Sequence, residues 1–316
     1  MSGEGIPERY RIFIENGFLP VNKDSFFQFR NFDDKESVVM ETTSTILTVW
    51  GGAVNALYKI IQGLLCITVI VEGSEAYFEI RFPPPAAGGL KAAMDSLWAL
   101  SLKAGFTSIR IGAVEEAFLS VYDELKGYNC TTGYSDDHSE YLYRTGDLLE
   151  LAGGVNLNKR TRLKKFLNND NFSLSPLTGE NIGLCLEIQK EWCLRRDCAS
   201  CASFAGCETK ALENMVAIFD PALYNGIVCF HEARPVGYVL WENRAGKTAF
   251  IYFAKANTAN LNVYLYYMAV KQFLSAVEFI NINEDMGNMG IRMFKSHLGV
   301  YKLLRKYSCI LAKTEG

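Results

Sequence analysis

No stretch of this sequence is apolar for long enough to cross a bilayer. The longest run, Leu64 to Val71 (Leu-Leu-Cys-Ile-Thr-Val-Ile-Val), falls far short of the roughly 20 residues a spanning helix needs and suits a buried strand. The first residues, Met1-Ser-Gly-Glu-Gly-Ile-Pro-Glu-Arg9, lack the basic segment and apolar run of a secretory leader, so a cytoplasmic protein without a transmembrane segment is expected. Histidine is scarce. The three present, His138, His231 and His297, lie far apart and form no His-x-x-x-His pair, and Gly-x-Ser-x-Gly is absent, which argues against mononuclear metalloenzymes and serine hydrolases. Charge of one sign is also lacking: the net charge of -3 leaves no global basic footprint, so a polyanion would have to meet a local patch.

What is present is ordinary globular composition, 49% apolar and 21% charged, over 316 residues, a length that suits two domains. The nine cysteines, in a chain with no leader, are read as reduced thiols. Cys66, Cys185, Cys229 and Cys309 sit inside apolar runs and are expected in the core. Cys193, Cys198, Cys201 and Cys207 form a separate cluster with the ligand chemistry for zinc or iron–sulfur. One Cys-x-x-Cys is only half of the strong paired pattern, so a metal-binding loop and a reduced loop both stand as readings.

Along the chain, Phe26 to Trp50 reads as a helical segment broken by Gly51-Gly52. Ala56–Ile61, Leu64–Val71 and Ala76–Phe82 then read as an antiparallel meander, stopped by Pro83-Pro84-Pro85. Leu90, Ala93, Met94, Leu97, Leu100 and Ala104 mark a helix closed by Gly105. Strand Ser108–Ile111, helix Glu115–Leu125 and strand Tyr141–Arg144 complete a first half, with a boundary expected within Leu149–Val155. The second half repeats the order. Basic helix Asn158–Leu167 and strand Ser173–Pro176 are followed by a helix carrying Cys185, Ile188 and Trp192, then helix Glu208–Phe219. Strands Gly226–Glu232, Val236–Glu242 and Thr248–Ala254 precede a tyrosine-rich helix over Asn262–Ala276, strand Val277–Ile282, a helix from Met289 and a closing strand Ser308–Ala312. The expectation is an α/β (α+β) chain with domains at 1–150 and 151–316.

Ile280-Asn281-Ile-Asn-Glu-Asp285-Met-Gly287-Asn-Met-Gly290-Ile-Arg292-Met-Phe-Lys295 resembles the Asn…Asp-Leu-Gly-x-x-Gly-Leu-Arg-x-x-Lys signature of the phosphatidylglycerol lysyltransferase C-terminal-domain family. Tyr252-Phe-Ala-Lys255-Ala-Asn257 is similar to that family's His-Phe-Glu-Lys-Ala-Asp strand end, and Tyr141-Leu-Tyr-Arg…Asp147-Leu with Lys159-Arg160 resembles the opening of its second half. The family is similar in fold to the Fem aminoacyltransferases. The resemblance implies tandem GNAT-like domains, each a mixed, largely antiparallel sheet flanked by helices, with the active groove in the second. It also implies an aminoacyl ester donor, an aminoacyl-tRNA, and an amine or hydroxyl acceptor on a small molecule, lipid headgroup or peptide. The sequence departs from the family at Asn283, where a glutamate is common, and at Met268-Ala269-Val270, where amide or acid side chains are.

Transfer of this kind needs a proton acceptor, a stabilised oxyanion and a grip on a phosphate-rich donor. Asp285 is the candidate base, the alternative being that it caps the next helix and pairs with Arg292. Arg292 and Lys295, three apart, share a helix face and could hold a phosphate or carboxylate. Lys255 and Asn281 are further candidate substrate-binding residues. Lys159, Arg160 and their basic neighbours could meet tRNA phosphates or form a solvated face, as could Lys302, Arg305 and Lys306. Tyr264 and Tyr267 could be core or groove lining. The junction Ala256-Asn-Thr-Ala-Asn-Leu-Asn262 holds no glycine, so it lacks the turn that cradles pyrophosphate in acyl-CoA-dependent GNAT enzymes; coenzyme A is disfavoured and no certain cofactor is assigned. The expected function is aminoacyl- or acyltransfer. The alternatives are a catalytically idle module that binds a metabolite or partner, and an acetyl-CoA-dependent N-acetyltransferase.

Overall fold

The computed structural model describes residues 8–71, 77–81, 89–151, 157–195, 207–244 and 247–314. In chain order the elements are α1 (Glu8–Glu15), β1 (Leu19–Pro20), α2 (Phe26–Phe29), α3 (Ser44–Ala53), β2 (Leu57–Ile61), β3 (Leu64–Val71), β4 (Tyr77–Arg81), α4 (Leu90–Lys103), β5 (Ile109–Glu115), α5 (Leu119–Asp123) and β6 (Tyr128–Tyr134). They continue with β7 (Glu140–Arg144), α6 (Thr145–Glu150), α7 (Leu157–Leu167), β8 (Phe172–Pro176), α8 (Leu184–Arg195), α9 (Glu208–Ala217), β9 (Tyr224–His231), β10 (Arg234–Arg244) and β11 (Thr248–Ala256). The last are α10 (Leu261–Ala269), β12 (Phe279–Asn281), α11 (Met289–Ser296), β13 (Lys302–Leu304) and β14 (Lys306–Lys313). The expected strand stop at Pro83-Pro84-Pro85 lies outside the described residues.

Two seven-stranded sheets result, ordered β1-β2-β3-β4-β5-β14-β6 and β13-β7-β12-β11-β10-β9-β8. Each is antiparallel except at one junction: β4 runs parallel to β5, and β11 runs parallel to β12. The mixed, largely antiparallel α/β architecture expected from the element order is therefore the one observed. Two compact units form around these sheets, one of Met1–Asp34, Glu41–Ser135 and Arg305–Gly316, the other of Lys35–Met40 and Asp136–Leu304.

This division differs from the expected cut at 150, and hydrogen bonding explains why. Strand β7 precedes that cut yet pairs with β12 (Tyr143 opposite Ile280) and with β13 (Tyr141 opposite Leu303). Strand β14 follows it yet lies between β5 and β6 (Cys309 opposite Ile111 and Thr132). The slot between the parallel pair and the outer strand is thus filled, in each sheet, by a strand from the far side of the expected boundary. A missing central strand would leave two ladders of backbone donors and acceptors unpaired, so neither sheet is complete without the exchange.

Each unit has its own core. Phe13, Leu97, Ile109, Ile111 and Leu311 are buried in the first, and Tyr143, Trp241, Phe250, Leu265 and Ile280 in the second. Cys66, Cys185, Cys229 and Cys309 are all fully buried, as expected of small apolar side chains. Helix α3 departs from expectation in both directions. It starts only at Ser44, where the Thr43 side chain accepts from Ile46 N–H, and it continues through Gly51-Gly52. Gly51 is retained inside it because a Cβ there would approach Val21 Cγ1 to 3.1 Å. Of the strands missed in sequence, β6 is an edge strand of polar Tyr-Asn-Cys-Thr-Thr-Gly-Tyr and β13 is a three-residue strand, and neither carries a period-2 apolar signal.

Candidate functional site

The signature segment begins on β12 and turns through residues 282–288 into α11. Asn283 (φ 63°), Met286 (φ 53°) and Gly287 (φ 73°) hold left-handed backbone, so the turn is a tightly specified loop. Glycine is required at 287 for a second reason: a Cβ would meet Asp137 Oδ2 at 3.1 Å. Asn288, not Asp285, caps α11, its Oδ1 accepting from Ile291 N–H at 3.1 Å.

Asp285 sits fully buried beneath this turn. Its Oδ1 accepts from Gly287 N–H at 2.8 Å and Arg292 Nη2 at 2.8 Å, and its Oδ2 accepts from Arg292 Nε at 2.9 Å and the Tyr141 hydroxyl at 2.6 Å. Four donors on two oxygens use the acceptor capacity of an ionised carboxylate. Burial alone would raise its pKa; the hydrogen bonds from Arg292, Tyr141 and Gly287, with the guanidinium charge, outweigh that and hold it below the usual carboxylate value. Burial, and then donation to this carboxylate, pushes the Tyr141 phenol up. A buried, saturated carboxylate held below its ordinary pKa is a weak proton acceptor, so these surroundings do not favour Asp285 as the expected base. The alternative of an Arg292 pair is what the geometry shows.

Arg292 also reaches Asp137 Oδ1 at 2.5 Å. Lys295 is buried, and its Nζ donates to the carbonyls of Ile282 (2.6 Å), Asn283 (3.1 Å) and Glu284 (2.7 Å). Lys295 is committed to the turn and Arg292 to Asp285 and Asp137, an arrangement that does not favour the expected phosphate or carboxylate grip by this pair. Asn281 is fully buried. Its Nδ2 donates to Val38 O (2.8 Å) and Glu140 Oε2 (2.5 Å), and its Oδ1 accepts from Asn283 N–H (2.8 Å). Glu140 Oε2 in turn accepts from Met40 N–H at 2.7 Å. Asn281 therefore pins strand, turn and the 35–40 segment together, rather than presenting an amide to substrate.

Beside this turn the parallel strands part. β11 and β12 are paired only from Thr248 opposite Phe279 to Phe250 opposite Asn281, after which β11 continues to Ala256 paired with β10 on its other edge. Near its free end Lys255 forms an ion pair with Glu208 Oε2 at 2.7 Å and lies 4.1 Å from the centroid of the Trp192 ring. Asn257 Nδ2 donates to Glu191 Oε2 (3.0 Å) and Ile188 O (3.1 Å), and Glu191 also pairs with Arg195 and, at 2.6 Å, with Arg234. Lys255 thus belongs to a second polar cluster, built from α8, α9 and the end of β11. Its contacts do not include Asp285, Arg292 or Lys295.

On α7, Arg160 donates to Leu151 O, while Lys159 Nζ lies 5.7 Å from the Phe294 ring centroid. Lys302 and Arg305 are exposed, whereas Lys306 is buried and pairs with Glu41 at 3.4 Å. Tyr264 is buried core and Tyr267 is half-buried. Of the cysteine cluster, Cys198 and Cys201 lie outside the described residues. Cys193 Sγ is 3.4 Å from Thr209 Oγ1, Cys207 is exposed, and no group of three metal-ligating side chains occurs among the described residues. No helix in the described residues is long and apolar enough to cross a membrane. The partners of these candidates not singled out in sequence are Tyr141, Asp137, Glu140, Glu208 and Trp192. Each lies on an element remote in sequence from the residue it holds, so no local pattern announces it.

Two sheets, each with one parallel pair in an otherwise antiparallel order, define a tandem GNAT-like protein. Residues 35–304 match the family model for the phosphatidylglycerol lysyltransferase C-terminal domain, and the chain belongs to that family. Among solved structures it is similar to a conserved protein of unknown function from Bacteroides thetaiotaomicron, with 19% identity, a TM-score of 0.78, and 93% of this chain and 99% of that one covered. It is similar to L-PGS from Bacillus licheniformis at 12% identity and a TM-score of 0.58, over 93% and 91% of the two chains. A tandem GNAT protein from the clavulanic acid biosynthesis pathway aligns at 11% identity and a TM-score of 0.50, over 95% and 98%. No curated protein matches the sequence.

Proposed function

We propose that the protein is an aminoacyl- or acyltransferase that works in its second unit, taking its group from an aminoacyl-tRNA and passing it to an amine or hydroxyl. The observation that carries this reading is the family signature folded as one rigid device: Asn281, Asp285, Arg292 and Lys295 all lock the turn beside the open end of β11. Where β11 extends past β12, its β12-facing edge is the one we assign to an extended ligand, and a fixed turn at that edge preorganises backbone dipoles for a developing oxyanion. In this reading Asp285 and Arg292 are positioning residues. In the same reading Lys255 and Glu208, at the exit of β11, meet the transferred group or its donor.

The test is transfer of labelled amino acid from a charged tRNA pool to lipid, peptide or small amine acceptors. Labelled product that disappears in Lys255→Ala supports the reading; no product from any charged tRNA overturns it. A second reading, a binding module without turnover, is favoured by the saturation of Asp285. Thermal-shift screening separates the two, since a free metabolite alone would stabilise the module, and tRNA would stabilise the transferase. Stabilisation by coenzyme A would instead support an acetyltransferase.

A further inference from the structure

The edge of a sheet is a row of backbone donors and acceptors that no strand pairs. Proteins keep such rows from capturing other chains by making them short, charged, bulged or proline-bearing. Three of the four edges here follow that rule. β1 has two residues and β13 has three. β8 ends on Pro176, whose carbonyl accepts from Asn181 Nδ2 at 2.9 Å. The fourth edge, β6, carries none of these devices. It is Tyr128-Asn-Cys-Thr-Thr-Gly-Tyr134, seven residues without a charge or a proline. Its register with β14 runs without a bulge from Tyr134 opposite Tyr307 to Tyr128 opposite Lys313. Among the described residues no strand pairs with its outer side, and residues 129–134 make no backbone–backbone hydrogen bond outside the β14 ladder. Asn129, Thr131, Thr132, Gly133 and Tyr134 are exposed, so the edge is open to water.

The unmet groups are those of an extended chain, and their complement is another strand. The sequence of β6 suits a strand of its own kind. An antiparallel pair about a two-fold axis through Thr131 sets Thr131 opposite its own copy, Cys130 opposite Thr132, Asn129 opposite Gly133 and Tyr128 opposite Tyr134. Every one of these pairs is neutral, so the like-charge opposition that a self-paired strand must avoid does not arise. The pairs also respect the faces of the strand. Tyr128 and Cys130 pack on the core of the first unit, and by alternation Thr132 and Tyr134 share their side. Tyr134 is 51% exposed. Pairing sets it against Tyr128 of the second copy, an aromatic cross-strand pair of the kind that stabilises sheets.

We propose that β6 is the association edge for a second copy of this chain, the two β6 strands pairing antiparallel about Thr131 so that two seven-stranded sheets become one. The surface belongs to the first unit and does not rest on the transferase reading. One strand pair covers far less than the roughly 1,600 Å² of a standard interface, so the dimer is weak and concentration-dependent.

Sedimentation velocity of the full chain, from micromolar to millimolar protein, should show the mass rising from one chain to two. Thr131→Lys and Thr131→Glu each oppose like charges at the axis and should weaken association roughly tenfold or more. An equimolar mixture of the two should dimerise again, since opposite charges then face each other. Thr131 is exposed, so both variants should keep the thermal unfolding of the parent. Ile310, opposite Thr131 on β14 and 45% exposed, lies on the sheet face beside the edge; Ile310→Ser should dimerise as the parent does. A chain that stays monomeric at every concentration overturns the proposal. So does dimerisation untouched by the Thr131 variants, not restored in their mixture, or lost equally in Ile310→Ser. If the Thr131 variants do not fold, the parent still decides. Its amide hydrogen exchange over residues 128–134 should slow with rising concentration at alternate positions, those whose N–H points outward, and exchange independent of concentration refutes the pairing.

Discussion

Replacing Lys295 by methionine distinguishes a structural cation from a ligand-binding one. The substitution keeps the apolar stem and its volume, so little packing is lost. What goes is a single ammonium that donates to three successive carbonyls at 2.6, 3.1 and 2.7 Å. A buried acceptor left without its donor costs about 1–3 kcal/mol. Ile282 is buried, while Asn283 and Glu284 are half-buried and their carbonyls can partly recover water. One full penalty and two partial ones give about 2–4 kcal/mol. Arginine should not rescue the loss, because a planar fork cannot converge on three carbonyls as an ammonium does. With two compact units, a single global unfolding curve mixes contributions. Urea denaturation is therefore best paired with amide hydrogen exchange across residues 282–296, where protection should fall selectively. A loss below about 0.5 kcal/mol with unchanged exchange would refute the reasoning.

Asp285→Asn should cost on the order of 2–3 kcal/mol at neutral pH, as the charge holding Arg292 disappears and an amide faces donors. The folded pKa of Asp285 is depressed, so its contribution is full above the ordinary carboxylate pKa and is lost as pH falls through the depressed one. The stability gap between parent and variant, from denaturation at a series of pH values, should therefore be flat near neutrality and narrow in acid; a gap that widens in acid would contradict the assignment. Cutting the chain at the expected boundary, into fragments 1–150 and 151–316, should give neither fragment a cooperative transition alone, since each loses a central strand. Co-expression should restore both, and two independently folded fragments would disprove the strand exchange.

Much of the fold was readable because the apolar periodicities are strong. The stripe Leu90, Ala93, Met94, Leu97 became the buried face of α4, and the runs at 226–232, 236–242 and 248–254 became β9, β10 and β11. The repeated order of elements gave the fold class as well. Partner choice was not readable. Nothing near β7 indicates that its Tyr143 lies opposite Ile280, because register between distant strands is set by whole-sheet pairing and not by local preference. The signature residues were legible as a group and misleading as individuals. Arg292 and Lys295 at a spacing of three describe a phosphate clamp and a pair of anchors for the turn equally well, and only their hydrogen-bond partners separate the two. Lys255 was placed correctly at a strand end, but its partners Glu208 and Trp192 come from α9 and α8.

The strand exchange and the candidate site are one construction. The turn over 282–288 is held from below by β7: Tyr141 bonds Asp285, Glu140 bonds Asn281, and the Tyr143 hydroxyl donates to Lys295 O at 2.9 Å. These three residues precede the turn by well over a hundred positions, and the Val38 and Met40 contacts reach back further still. A sheet that drew its central strand from its own half of the sequence would have to find these anchors elsewhere. The left-handed residues in the turn make the dependence sharper, because backbone held at positive φ persists only where its surroundings over-determine it. The second unit can therefore hold the signature rigid only while it includes β7 and the 35–40 segment, which is a physical reason why its boundary falls before β7 and not at residue 150.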